Sequence, residues 1–129
     1  MNETHNIAHL MKEAVAFNNK KQYKQALKLL HQALKLDPEN QEILHQSGIT
    51  YFSLDDLDKA VDCLLKSPDI DKGNYMIWYN IGNSYKMNKE YKKAINAFKI
   101  ALTHNPNDTY KDMIAAHIDN LVLKIDYKK

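Results

Sequence analysis

Residues 78–106 read WYNIGNSYKMNKEYKKAINAFKIALTHNP, and the fold class follows from the spacing inside them. Trp78, Ile81, Gly82 and Tyr85 recur at i, i+3, i+4 and i+7, the apolar stripe of an α-helix. Tyr91, Ala94, Ile95, Phe98, Ala101 and Leu102 repeat that periodicity, and the intervening MNKE is short and polar. The stretch is therefore a pair of antiparallel helices. Gly82, Ala94 and Ala101 are small where two helices must approach, and Trp78, Tyr85 and Phe98 fill the flanks.

The same pattern occurs upstream at a period of 34 residues without a gap. Ala26, Ala60 and Ala94 keep it, as do Phe17, Tyr51 and Tyr85. Leu30, Leu64 and Phe98 follow it, and so do Ala14, Gly48 and Gly82. The units are residues 7–40, 41–74 and 75–108, followed by a final helix over 109–126, all in one domain spanning 1–129. Asn6, Asn40, Asn74 and Asp108 stand just ahead of the units and the final helix. Their side-chain oxygens suit an N-cap, which predicts four helix starts.

The second unit departs from its neighbours at Lys66–Asn74, KSPDIDKGN. Pro68 falls where the other units have Leu34 and Leu102, inside the end of their second helices. Proline disfavours helical geometry at the preceding Ser67, so this helix should stop near Lys66, about a turn early. Asp69 to Gly73 would then form a longer acidic loop.

Trp78-x-x-Ile81-Gly82-x-x-Tyr85, with Ala94-x-x-x-Phe98, Ala101 and Pro106, resembles a tetratricopeptide repeat. The first unit is similar to it through Leu10, Ala14, Phe17, Ala26, Leu30, Ala33 and Pro38, but has Glu13 where the family prefers an apolar residue. The second carries Leu44, Gly48, Tyr51, Ala60 and Leu64, with Ser67 for the later alanine and Lys72 for the terminal proline. The resemblance implies an all-α fold, a right-handed α-solenoid (superhelix) of antiparallel helix pairs with about seven helices. It also implies a concave groove lined by the first helix of each pair, which the family uses to hold peptides or helices of partner proteins.

Carried onto this sequence, the groove positions are Met11, Val15 and Asn18; His45, Ile49 and Phe52; and Met76, Tyr79, Asn83 and Met87. Some of these could instead only close gaps between helices. The family's terminal-carboxylate clamp uses lysine, asparagine and arginine, but its positions here hold Met11, Val15, Gln46, Met76 and Asn80. No cation stands among them, so an apolar or amphipathic peptide fits better than a clamped carboxylate. The lining is similar to that of helical-repeat, chaperone-like proteins that hold apolar segments.

Composition narrows the remaining classes. All 18 basic residues are lysine, which disfavours bidentate phosphate or carboxylate recognition. The formal net charge of +2 does not imply a nucleic-acid partner. By unit, the charge is +3, then −4, then +3, and the lysines of the outer units read as a solvated convex face. No segment approaches the roughly 20 apolar residues of a membrane span, and no signal peptide is evident, so a cytoplasmic protein is expected. Cys63 stands alone, His5 and His9 make at best a weak metal pair, and no nucleophile–base set can be assembled. The expectation is a protein that is not an enzyme and has no cofactor.

The final helix adds a second possibility. Ala115 and Ala116 fall where a repeat places its small pair, which predicts packing as a cap. Met113, Ile114, Ile118, Leu121, Val122, Leu123 and Ile125 exceed what a cap needs, since a cap presents a polar outer face. The chain could therefore be a homo-oligomeric structural subunit, associating through the groove or through this helix.

Overall fold

The computed structural model describes residues 3–67 and 75–127, with the side chains of 3–5 and 127 excepted. The described residues form seven α-helices and no strand. The chain divides into two compact units, Met1–Ile70 and Asp71–Lys129.

The first unit holds α1 (Glu3–Asn19), α2 (Tyr23–Leu36), α3 (Gln41–Ser53) and α4 (Leu57–Leu65), paired as α1/α2 and α3/α4. Ala14, Leu30, Ala33 and Ile43 form a solvent-free cluster, with Ile7, Leu10, Met11 and Leu27 packed against it. Ile43 comes from α3, so this cluster joins the second pair to the first. Gly48 meets Leu64 across the α3/α4 contact: a β-carbon on Gly48 would lie 2.7 Å from Leu64 Cγ.

The second unit holds α5 (Tyr75–Met87), α6 (Tyr91–Thr103) and α7 (Asp108–Tyr127). Trp78, Ile81, Gly82 and Tyr85 of α5 are buried with Ala94, Ala97, Phe98 and Ala101 of α6. The stripe read from residues 78–106 is therefore the α5/α6 contact.

Three turns join the two helices of a pair, and they share one backbone geometry. Lys21, Asp55 and Lys89, each 34 residues from the next, adopt φ of 61°, 62° and 62°. The N–H groups of Gln22, Asp56 and Glu90 donate to the carbonyls of Phe17, Tyr51 and Tyr85, all at 2.9 Å. Those of Lys21, Asp55 and Lys89 donate to Asn18, Phe52 and Lys86 at 2.9, 2.9 and 3.0 Å. These paired bonds form a Schellman motif, which satisfies the last carbonyls of the first helix. The carbonyls of Gln22, Asp56 and Glu90 then accept from Ala26, Ala60 and Ala94, so each turn also starts the second helix.

The cap expectations fare unevenly. Asn40 caps α3, its side chain accepting from Ile43 N at 3.1 Å. Asn6 does not cap α1, which already begins at Glu3. Asp108 is not the cap of α7 either. Asn107 supplies both oxygens, its side chain accepting from Tyr110 N at 2.9 Å and its carbonyl from Lys111 N at 2.8 Å. Asp108 takes the first helical position, where its charge complements the helix dipole. Asn74 lies outside the described residues.

The early stop of the fourth helix is observed. α4 has nine residues against fourteen in α2 and thirteen in α6, and Lys66 is its C-cap. Ser67 is fully buried, as Ala33 and Ala101 are at the same place in their units. Its N–H donates to the Leu64 carbonyl at 3.1 Å, and its hydroxyl to the Leu64 carbonyl at 3.3 Å. Pro68 and the acidic segment after it lie outside the described residues.

The small pair of the final helix is not its contact surface. Ala115 and Ala116 are exposed, and α7 packs against α6 through buried Ile114 and Leu121, flanked by His117 and Ile118. In α5 the corresponding Ile81 and Gly82 are both buried, and Gly82 lies against Phe98 of the second helix of its own pair. α7 has no such partner among the described residues, and its larger side chains settle on α6 instead.

Candidate functional site

The groove positions taken from the sequence lie on one face of each first helix. Met11, Val15 and Asn18 are spaced i, i+4 and i+7 on α1, and His45, Ile49 and Phe52 repeat that spacing on α3. All six are half-buried. Met11 also packs on the core cluster, so only part of its thioether chain faces outward.

Asn18 has a second task. Its amide Nδ2 donates to Thr50 Oγ1 at 2.9 Å, and Thr50 Oγ1 lies 3.1 Å from Asn18 Oδ1. The Thr50 hydroxyl also reaches the Gln46 carbonyl at 2.8 Å. Thr50 is fully buried, so this pair fixes α1 to α3 in a solvent-free place. Sequence reasoning did not find Thr50. The available signal was a hydroxyl beside Tyr51 in an otherwise apolar helix stretch.

In the second unit, Met76, Tyr79, Asn83 and Met87 share one face of α5. Met87 is 80% exposed and Met76 36%, while Asn83 is half-buried. Tyr79 sits among aromatic rings: its centroid lies 5.9 Å from Phe98, 5.5 Å from Tyr110 and 5.9 Å from His117. The His117 ring stacks on Phe98 at 5.2 Å and 6°. Tyr75 joins through Tyr110 at 5.3 Å, and Asn107 Nδ2 donates to its hydroxyl at 3.3 Å. Tyr79 thus ties α5 to α6 and α7 in addition to any contact it makes outward.

His117 is the polar member of this cluster. Its Nδ1 lies 3.3 Å from Lys86 Nζ, and its Nε2 lies 3.5 Å from the Tyr79 hydroxyl. Lys86 can only donate, so Nδ1 accepts and the ring proton sits on Nε2. Burial pushes the His117 pKa down, and the Lys86 ammonium pushes it further the same way.

The five clamp positions carry no cation: Gln46 is half-buried and Asn80 exposed. Cys63 is half-buried, and burial raises its thiol pKa above the ordinary value, against the smaller opposing pull of Lys66. Such a thiol is not an activated nucleophile. Among the described residues, no group of three or more His, Cys, Asp or Glu side chains could hold a metal ion. His9 instead meets Glu13 at 3.1 Å, and the His5 side chain lies outside the described set. No described helix is long and apolar enough to cross a membrane.

Two family models, both described as tetratricopeptide repeat, match residues 20–75 and 75–108. The second match coincides with the third sequence unit. Among curated proteins, the chain is 30% identical over 101 residues to the N-terminal acetyltransferase A complex auxiliary subunit NAA15 of Arabidopsis thaliana, covering 78% of this chain and 11% of that protein. It is 32% identical over 93 residues to the chloroplastic tetratricopeptide repeat domain-containing protein PYG7 of the same plant, covering 69% and 31%. The chain thus spans less than a third of the length of these relatives. Among solved structures, the Arabidopsis OM64 TPR domain superposes with a TM-score of 0.70 at 19% identity, covering 92% of this chain and 98% of that one. The first TPR of Spaghetti (RPAP3), bound to HSP90 peptide SRMEEVD, gives 0.66 at 12% identity, covering 95% and 94%. At such identities the likeness shows a shared fold.

Proposed function

Because this chain belongs to the tetratricopeptide repeat family, we propose that it holds an apolar or amphipathic peptide or helix of a partner protein against the first helices of its repeats. The fold is that of a protein–protein interaction module. The carrying observation is the face of α5, where Met87 and Met76 stand 80% and 36% exposed in line with half-buried Asn83. Exposed methionine suits an apolar ligand, because its unbranched thioether chain repacks around different shapes. Val15, Ile49 and Phe52 give the first unit a face of similar character.

The structural neighbours support peptide binding in general. One is bound to HSP90 peptide SRMEEVD and another to HSP70 peptide SGPTIEEVD. Met11, Val15, Gln46, Met76 and Asn80 offer no charge for a terminal carboxylate, so this chain's ligand is read as apolar or amphipathic instead.

The test pairs Met76→Glu with Met87→Glu and captures partners from the native cell. Loss of a wild-type partner, with unchanged helix content and unchanged mass in solution, supports this reading. Retention of every partner overturns it. Tyr79 is a poor site for such a test, since its ring packs on Phe98, Tyr110 and His117 and its replacement would loosen the unit itself.

A second reading, self-association through α7, draws on Leu123, Val122 and Met113, which are 56%, 42% and 41% exposed. Leu123→Lys would then lower the mass measured by light scattering. A monomeric wild-type chain at high concentration removes that reading.

A further inference from the structure

The second unit has a cleft of about 560 Å³ between the end of α5, the turn after it, and α7. Lys86, Lys89 and Lys124 all line it, with His117 and Asn120 beside them and Met87 also at its wall. No carboxylate is among the described residues that line it. These lysines come from three different elements, and only the fold brings them to one concavity.

Side-chain contacts orient Lys86 and Lys124, while for Lys89 the backbone alone is fixed. Lys86 donates to His117 Nδ1 at 3.3 Å, a neutral acceptor that orients the ammonium without cancelling its charge. Lys124 lies 5.4 Å above the Tyr91 ring, held by a cation–π contact. Lys89 occupies the left-handed position of the Schellman turn, and two backbone bonds of 3.0 and 2.9 Å fix that position. Like charges lining one cleft repel one another, and an entering anion relieves that repulsion.

We infer that this cleft docks an acidic segment of a peptide ligand, with carboxylate side chains meeting Lys86, Lys89 and Lys124 and an adjacent apolar side chain meeting Met87. Lysine ammonium groups are compact point charges with rotatable donors, so they accept carboxylates at irregular spacing. A single bidentate carboxylate would call for arginine, which the chain lacks. The cleft lies apart from the clamp positions Met76 and Asn80, which lie near the other end of α5. The inference rests on the peptide-binding reading only in taking a peptide as the ligand.

The test uses the full chain and two fluorescein-labelled peptides, one of leucine flanked by glutamates and the other of leucine flanked by glutamines. The glutamate peptide binds, weakens as salt rises, and loses about tenfold in affinity on Lys86→Gln with Lys124→Gln. The control Lys92→Gln with Lys99→Gln, at exposed positions of α6, leaves binding within about twofold. The His117 ring resonances shift on binding, and their titration midpoint rises as carboxylate offsets the Lys86 charge. Equal binding of both peptides, equal loss in both lysine variants, or unmoved His117 resonances would overturn the inference. An uncharged amphipathic helical peptide is measured beside them. If that peptide binds and the glutamate peptide does not, this inference fails alone; if neither binds, the broader peptide-binding reading loses its support as well.

Discussion

Gly82 lies against the ring of Phe98 so closely that a β-carbon on it would stand 2.6 Å from Phe98 Cε1. Phe98 is fully buried, so its ring has no free volume to retreat into. Gly82→Ala should therefore destabilise the chain by about 1–3 kcal/mol, read from urea unfolding, despite alanine's better helix propensity. Gly82→Ala with Phe98→Leu should cost less than the sum of the two single changes, because the smaller side chain vacates the clash. Simple additivity would show that the two residues do not press on one another.

The three left-handed turn positions carry no glycine. Asp55 is exposed with φ of 62°, a geometry that costs an ordinary residue and costs glycine nothing. Asp55→Gly should raise stability by about 0.5–1 kcal/mol after the added freedom of the unfolded chain is counted. Asp55→Val should lower it, since a β-branched side chain tolerates this region poorly. A lower melting temperature for the glycine variant than for wild type would contradict the assigned turn.

Asn18 has a share in both stability and the candidate binding face. Thr50→Val removes the hydroxyl that meets both the Asn18 amide and the Gln46 carbonyl, at a cost of about 1–2 kcal/mol. A double-mutant cycle with Asn18→Ala should return a coupling of about 1 kcal/mol. Thr50 itself is buried, so partner binding by folded Thr50→Val should match wild type. Weaker binding by the folded variant would show that the face depends on the Asn18 side chain being held by Thr50.

His117 makes part of the stability pH-dependent. Burial first, and then the Lys86 charge, hold its pKa below the ordinary 6.5, so the unfolded chain binds this proton more readily than the folded one. The contribution is complete above pH 6.5 and is lost as pH falls through that value toward the folded pKa. Between about pH 7.5 and 5.5, wild type should lose more urea resistance than His117→Gln, each measured against its own value at the higher pH. Parallel losses in the two proteins would remove His117 as the source.

Much of the architecture was legible in the residues. Trp78, Ile81, Gly82 and Tyr85 announced a helix face, and that face is buried against α6. Pro68 announced a shortened helix, and α4 ends at Leu65 with Lys66 as its cap. The cap of α7 was off by one residue, because Asn107 and Asp108 are adjacent and both offer a suitable oxygen. The candidate binding face could be placed from the sequence only by its positions in the repeat. Asn18 and Tyr79 stand at groove positions in the repeat pattern, yet each also holds helices together through Thr50 and through Phe98, Tyr110 and His117.

By itself the sequence determined what is local and periodic: about seven helices arranged as three pairs and a final helix, the small residues where paired helices meet, and the family. These follow from side chains three and four residues apart sharing a face, a relation that each helix carries within itself. The tertiary structure decided which face of α7 meets α6, where Ile114 and Leu121 are buried in place of Ala115 and Ala116. It also decided that Lys86, Lys89 and Lys124 line one cleft. Rotation of a helix about its axis, and convergence of charges from separate elements, are set by how neighbouring surfaces interlock.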